Sequence, residues 1–218
     1  MADFYLFSDE AGDFTFTRGL NISRYFIICT VSATSVDLGM RLAALRHDLV
    51  REGVSVGDCF HATTDSQEVR DRVFAVLAAS DFRFQATICE KSKAQPQVRV
   101  SKARFYQYPW YYHFKFGLAP HLKTGDRLLV TAASIGSKKE RQTYIAALQD
   151  VVAQSAAHVL WAVDFRPALA DPCLQAADYC AWATQRKWER DDVRSFDLIK
   201  SKLSYEYDLW KRGTVHHY

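Results

Sequence analysis

The chain has 218 residues, 49% of them hydrophobic and 24% charged, with a net charge of +3. That length holds one large domain or two small ones, the balance suits a globular core, and the mildly basic charge permits a nucleic-acid partner. Apolar runs such as "YFIIC" and "RLLVTAA" are too short to cross a bilayer, and the N-terminus lacks the features of a secretion signal, so a cytoplasmic protein with no membrane partner is expected.

The first strand is "FYLFSDE", which ends on Asp9 and Glu10 with Asp13 close behind. A second, β-branched and aromatic, runs from Arg24 to Ala33. Gly12, Gly19 and Asn21 between them are turn residues, so the two strands form a hairpin. Leu38, Leu42, Leu45 and Leu49 recur at helical spacing, with Ser35 to cap and Gly53 to stop. The next helix places Val69, Val73, Val76 and Leu77 on one face. "DFRFQATICEK" alternates as a strand that meets Glu90 at its end. The aromatic stretch from Val100 to Leu122 is expected to kink or break at Pro109. "DRLLVTAAS" is a strand, "KKERQTYIAALQDVVAQ" a helix capped by Ser137, and "HVLWAVDF" a strand ending at Asp164. The last helix, "DPCLQAADYCAWATQRKWE", starts with Asp171 at the N-cap and Pro172 in its first turn. Residues 191–218 receive no assignment.

The order β-β-α-α-β-α-β-α-β-α gives an α/β chain whose mixed sheet of about five strands is flanked by helices. One domain is expected over residues 1–190, with 191–218 as a tail packing on it. Cys29, Cys59, Cys89, Cys173 and Cys180 form no CxxC pair and sit beside apolar or aromatic residues, as reduced buried thiols do.

Charges at the mouth of a core strand are costly unless water, a cation or a partner receives them. In α/β sheets, ligands gather where strand ends meet helix starts. Asp178 lies two turns inside the last helix, at the edge of the apolar arc of Cys173, Leu174, Ala177, Cys180 and Ala181. From there it can point back at Asp9 and Glu10. Carboxylates converging from separate elements suit a hard divalent cation, and two such ions about 4 Å apart activate a water and neutralise the leaving oxygen of a phosphodiester. Asp9 to Gly12 suits a polar turn equally, and Asp164 a loop carboxylate paired with Arg166. Asp178 is the least comfortable as plain structure, because Asp is a poor mid-helix residue.

His61 in "CFHATTD" reads as a metal ligand, a general base, a substrate contact or a half-buried structural histidine. Lys91 reads as a partner for a phosphate or for the carboxylates, or as a solvated lysine. Arg99, Lys102, Arg104, His113 and Lys115 interleave with aromatics. Single-strand channels, half-buried helices and dimer faces share that pattern; packing, or a homodimer through residues 105–116, is the preferred reading. "GSKKERQ" reads as a helix start and solvated face.

"YLFSDEAGDF" and "CLQAADYCAWA" resemble the "DESGD" start and the "LQxADxxA" helix of a bacterial domain-of-unknown-function family, number 3800. "FHATTD" and "ICEKS" fall where that family has its histidine and lysine segments, and the similarity runs to about Lys187. The resemblance implies a ribonuclease H-like fold and a Mg²⁺- or Mn²⁺-dependent nuclease acting on RNA or DNA, in phage defence or a mobile element. It carries Asp9 and Glu10 as first-strand carboxylates, Gln175 and Asp178 as the last-helix pair, and more loosely His61 and Lys91. On this reading Asp9, Glu10 and Asp178 hold metal, and His61 or Lys91 orients the water or the scissile phosphate. Gln175, Lys102 and Arg104 contact substrate.

There is one departure. Ribonuclease H-like nucleases usually place another acidic residue at or after the strand neighbouring the first, where this chain has Ala132-Ala133-Ser134. Glu90 or Asp164 stands in, or Glu10 turns inward. Otherwise the metal cage is incomplete, and the chain is an inactive module that binds nucleic acid or a protein.

Overall fold

Two cores, one on each side of a central sheet, follow from the alternation in the first 33 residues. β1 (Asp3–Ala11) pairs antiparallel with β2 (Tyr25–Ala33). Successive strand side chains point to opposite faces. Phe7 and Ala11 thus join Ile27, Cys29 and Val31 in one core, while Leu6 joins Phe26 and Ile28 in the other. The same parity sends Asp9 to the first face and Glu10 to the second.

The computed structural model describes the backbone of residues 1–218 and the side chains of all but Lys138 and Lys139. The solvated face expected of "GSKKERQ" therefore lies partly outside the described side chains.

β3 (Arg83–Glu90) lies antiparallel to β2, β4 (Arg127–Ala133) runs parallel to β1, and β5 (Leu160–Arg166) runs parallel to β4. A further strand, β6 (Leu203–Asp208), pairs parallel with β3. The order is β5-β4-β1-β2-β3-β6, and only β2 runs against the rest. This is the expected α/β sheet of ribonuclease H-like type, with six strands rather than five. The additional strand comes from residues 191–218, whose short α6 (Arg194–Ile199) precedes it. An edge strand half-covered on each face, burial pattern mixed throughout, leaves little hydrophobic signal in sequence.

α1 (Asp37–Arg51), α2 (Gln67–Ala79), α5 (Pro172–Arg190) and α6 pack on the Asp9 face. α3 (Lys102–Gly117) and α4 (Lys138–Ser155) pack on the Glu10 face. Ser137 makes a full capping box with Glu140, and Asp171 accepts from the Cys173 N–H at 2.9 Å, as their sequence positions predict. At α1 the N-cap position falls on Val36, and Ser35 one residue earlier accepts from the Asp37 N–H, the first of the helix, at 3.3 Å.

Pro109 does not break its helix, which runs through it from Lys102 to Gly117 and so corrects the expected break. A proline inside a helix costs about 3 kcal/mol. Phe105, Tyr106, Trp110 and Phe114 lie fully buried around it, and that apolar burial outweighs the lost hydrogen bond. Most of the aromatics in segment 105–116 are thus spent on the core. His113 is buried with them. The Thr30 hydroxyl donates to Gln85 Oε1 at 2.8 Å, so it accepts from His113 Nε2, also at 2.8 Å. Thr87 donates to Nδ1 at 2.9 Å. Burial pushes this imidazole down to about 3, so it stays neutral and structural. Among the described residues, no helix is long and apolar enough to cross a membrane.

Candidate functional site

The site forms where the carboxyl end of β1 meets the first half of α5. Asp9 is the last polar residue of β1 on the α5 face, and α5 packs against β1 and β2. Its Oδ1 accepts from the Glu10 N–H at 2.8 Å. Burial raises the Asp9 carboxyl well above its ordinary range, and the neighbouring charges of Glu10 and Asp178 raise it further. Asp178 therefore lies close enough to act on Asp9 through space.

Asp178 is also tied to the loop before α2. Its Oδ1 pairs with His61 Nδ1 at 3.0 Å, and its Oδ2 accepts from the Ala62 N–H at 2.8 Å. A carboxylate only accepts, so Nδ1 carries the proton and Nε2 is left without a partner among the described residues. His61 is about half exposed. The Asp178 hydrogen bond, opposed by partial burial, raises its pKa above the ordinary value. The loop has further anchors on α5 and on itself. Gln175 Oε1 accepts from the Phe60 N–H at 3.2 Å, Asp65 Oδ2 accepts from the His61 N–H at 2.8 Å, and the Tyr179 hydroxyl donates to the same oxygen.

Asp9, Asp178 and His61 are thus brought together, and the other expected residues are not. Glu10 leaves the strand on the opposite face, so the anticipated first-strand pair splits. Its carboxyl enters a socket beneath α3, where Glu10 Oε1, Tyr106 Oη, Trp110 Nε1 and Ser8 Oγ are all buried without a partner of good geometry. Burial lifts the Glu10 carboxyl to about 7, held in check by the nearby Tyr106, Trp110 and Ser8 donors. A cavity of about 370 Å³ opens beside it, lined by Asp9, Glu10, Phe14, Lys102 and Ser134.

Lys91 is corrected from a site residue to a structural one. It is fully buried, and its ammonium donates to Asp13 O, Asp13 Oδ1 and Thr15 O at 3.1, 2.9 and 2.9 Å. An ammonium has three donors, and all are used. Gln175 is corrected likewise. It is buried, with its Oε1 accepting from the Phe60 N–H and its Nε2 donating to Ala168 O at 3.0 Å, so its amide anchors the loop before α2 to the turn before α5 rather than facing a substrate. Arg104 bonds Gln107 on the surface of α3, and Lys102 faces Glu140 at 3.5 Å on the rim of the Glu10 cavity.

Neither proposed stand-in for the missing carboxylate reaches the site. Glu90 is held by Arg24 and Lys93 at 2.8 and 2.9 Å, and Asp164 by Arg166. Ala132, beside Ser8 on the neighbouring strand, and Ser134 just beyond it offer no charge; the Ser134 hydroxyl is buried without a partner.

Among the described residues, no three His, Cys, Asp or Glu side chains form a ready-made metal cage. The donor chemistry still fits a hard cation. Mg²⁺ takes only one or two carboxylates and keeps several waters. Asp9 and Asp178 supply two, from separate elements, with no lysine or arginine paired to either among the described residues. The sequence does not reveal that His61 and Asp178 form a hydrogen-bonded pair, because 117 residues separate them. Comparison with protein-family models and with curated proteins returns no match to this chain.

Proposed function

We propose that the chain is a Mg²⁺- or Mn²⁺-dependent phosphodiesterase that cleaves nucleic acid. One observation carries the reading: Asp9 ends β1, Asp178 stands on the helix packed against that strand near enough for its charge to act on Asp9, and among the described residues neither has a cationic partner except a half-exposed histidine. Two such carboxylates repel, and a divalent cation would relieve that repulsion while supplying Lewis acidity to a phosphoryl oxygen. Asp9 and Asp178 would hold the cation. Asp178 also fixes His61 by its Nδ1, leaving Nε2 for the substrate. Protonated, that nitrogen can pair with a phosphate or donate to the leaving oxygen; neutral, it can take a proton from water. Glu10, from its own socket, supports the site from the other face. The sequence resemblance adds phage defence or a mobile element as the setting.

The test is cleavage of single- and double-stranded RNA and DNA with Mn²⁺. Wild type should cut at least one of these, and Asp9→Asn and Asp178→Asn should not. No cleavage by wild type, or equal cleavage by the variants, overturns the proposal. A second reading has its own support in Ala132-Ala133-Ser134, where the further carboxylate is missing: an inactive module that binds nucleic acid or a protein. It expects binding that survives EDTA and the loss of either aspartate, and metal-dependent turnover excludes it.

A further inference from the structure

Along α5, away from Asp178, lies the roomiest of the described clefts, about 730 Å³, between that helix, α2, α6 and the β1–β2 hairpin loop at Asn21–Ser23. Its wall begins at Thr63, two residues past His61, so it starts beside the candidate site. Four arginines line it from three helices: Arg70 of α2, Arg186 and Arg190 of α5, and Arg194 of α6. Two acids, Glu189 and Asp192, stand against them, leaving the lining net positive.

The cleft is built rather than accidental. Trp182 lies under two guanidinium groups, Arg70 at 5.2 Å and Arg186 at 5.5 Å from its ring centre. Cation–π contacts of this kind hold a cation in place without consuming its donors. Arg70 is also gripped by Ala62 O at 3.0 Å, yet its buried Nε has no partner. Arg186 is braced by Asp192 at 2.9 Å and Arg194 by Asp71 at 3.0 Å. Arg190 makes no ion pair among the described residues and is exposed.

Asp178, Trp182, Arg186 and Arg190 follow one another at four-residue steps along one stripe of α5. At about 1.5 Å per residue, Arg186 and Arg190 stand roughly 12 and 18 Å from Asp178. Stacked nucleotides repeat at about 3.4 Å, so that stripe spans roughly four to five phosphates beyond the reacting one. We infer that this arginine-lined cleft is the track for the substrate strand, receiving the phosphates of a single strand of RNA or DNA that flank the scissile bond. The inference rests on the proposed function and names where the strand lies. It moves the expected substrate contact from Lys102 and Arg104 of α3 to α5.

Strand binding in EDTA tests it apart from cleavage. Anisotropy is measured on labelled single-stranded 20-mers, oligo-dT and oligo-U, with wild type, Arg190→Gln and Gln185→Glu, whose side chains line the cleft without holding the fold. Each variant should weaken binding about 3- to 10-fold at moderate salt, and Arg190→Gln should lower the slope of log Kd against log salt by about 0.7. Lys102→Gln with Arg104→Gln, on α3, should leave both unchanged. No binding by wild type, unchanged binding by Arg190→Gln and Gln185→Glu, or equal competition by polyglutamate, which would assign the cleft to an acidic protein, overturns the inference. Loss of Mn²⁺-dependent cleavage with the binding pattern intact would instead sink the nuclease reading and leave the track standing. A preference for oligo-U or oligo-dT identifies RNA or DNA as the strand.

Discussion

Asp9 and Asp13 stand four residues apart at the same end of the sheet and have opposite electrostatic fates. Asp13 is balanced. Lys91 and the Thr15 N–H reach its Oδ1 at 2.9 and 2.7 Å, and Ser23 gives its N–H and its hydroxyl to Oδ2, both at 2.8 Å. Burial alone would raise its carboxyl, but these hydrogen bonds outweigh it and hold Asp13 well below the usual carboxylate range. Asp9 receives one backbone N–H, and burial first and its acidic neighbours second push it the other way. The balanced carboxylate stitches the hairpin loop to β3. The unbalanced one is destabilising as it stands, and the proposed cation is what would complete it.

The largest effect should come from unbalancing the balanced cluster. Lys91→Met strands Asp13 and two loop carbonyls, and should cost about 2–3 kcal/mol in urea unfolding, at the lower end for a buried pair because Asp13 is partly exposed. A loss below about 0.5 kcal/mol would show that Lys91 is not the clamp of the hairpin.

Next is the pH dependence of Glu10. Its carboxyl binds a proton more tightly in the folded chain, about 7, than in the unfolded chain, 4.5. The folded state therefore holds the extra proton between those values, and stability falls as pH rises through them, by roughly 3 kcal/mol. Glu10→Gln should flatten that slope in denaturation curves taken from pH 4 to 8. An unchanged slope would mean that the socket is wet. Asp13 runs the other way: its contribution is complete above its unfolded value of 3.8 and is lost as pH falls toward its lowered native value.

Completing the unbalanced cluster should have a smaller effect. Mn²⁺ at ten times its Kd should stabilise wild type by about 1.4 kcal/mol, and Asp9→Asn should abolish that gain while leaving the metal-free protein as stable or slightly more so. Equal stabilisation of wild type and variant would place the cation elsewhere. The smallest change is expected at His61. Its pKa is raised by Asp178, so its contribution is present below pH 6.5 and fades as pH rises through the folded value. Half exposed, the pair should yield no more than about 0.5 kcal/mol on His61→Gln at pH 6, against a loss of cleavage read in the same sample.

Local signals are legible from residues alone. The hairpin, the helix starts at Ser137 and Asp171-Pro172, and the discomfort of Asp178 inside α5 all depend on neighbours within a few positions. The helix continues through Pro109 because the cost of the proline is local while its compensation, a ring of buried aromatics, is not and cannot be seen in sequence. Lys91 and Gln175 looked available because sequence shows a polar side chain and not its partners, which lie 76–78 and 7–115 residues away. β6 was missed because an edge strand needs β3 beside it before its pattern has meaning.

The sequence by itself determined the α/β class, the order of elements as far as α5 and the presence of carboxylates at the end of β1 and within α5. Periodicity, caps and turn residues encode these over short spans. Strand alternation already puts Asp9 and Glu10 on opposite faces; tertiary structure alone decided that α5 covers the Asp9 face, that His61 docks on Asp178, and that four arginines from three helices share one cleft. Coulomb and hydrogen-bond partners are chosen by distance in space, and the chain closes those distances only once both hydrophobic cores have packed against the sheet.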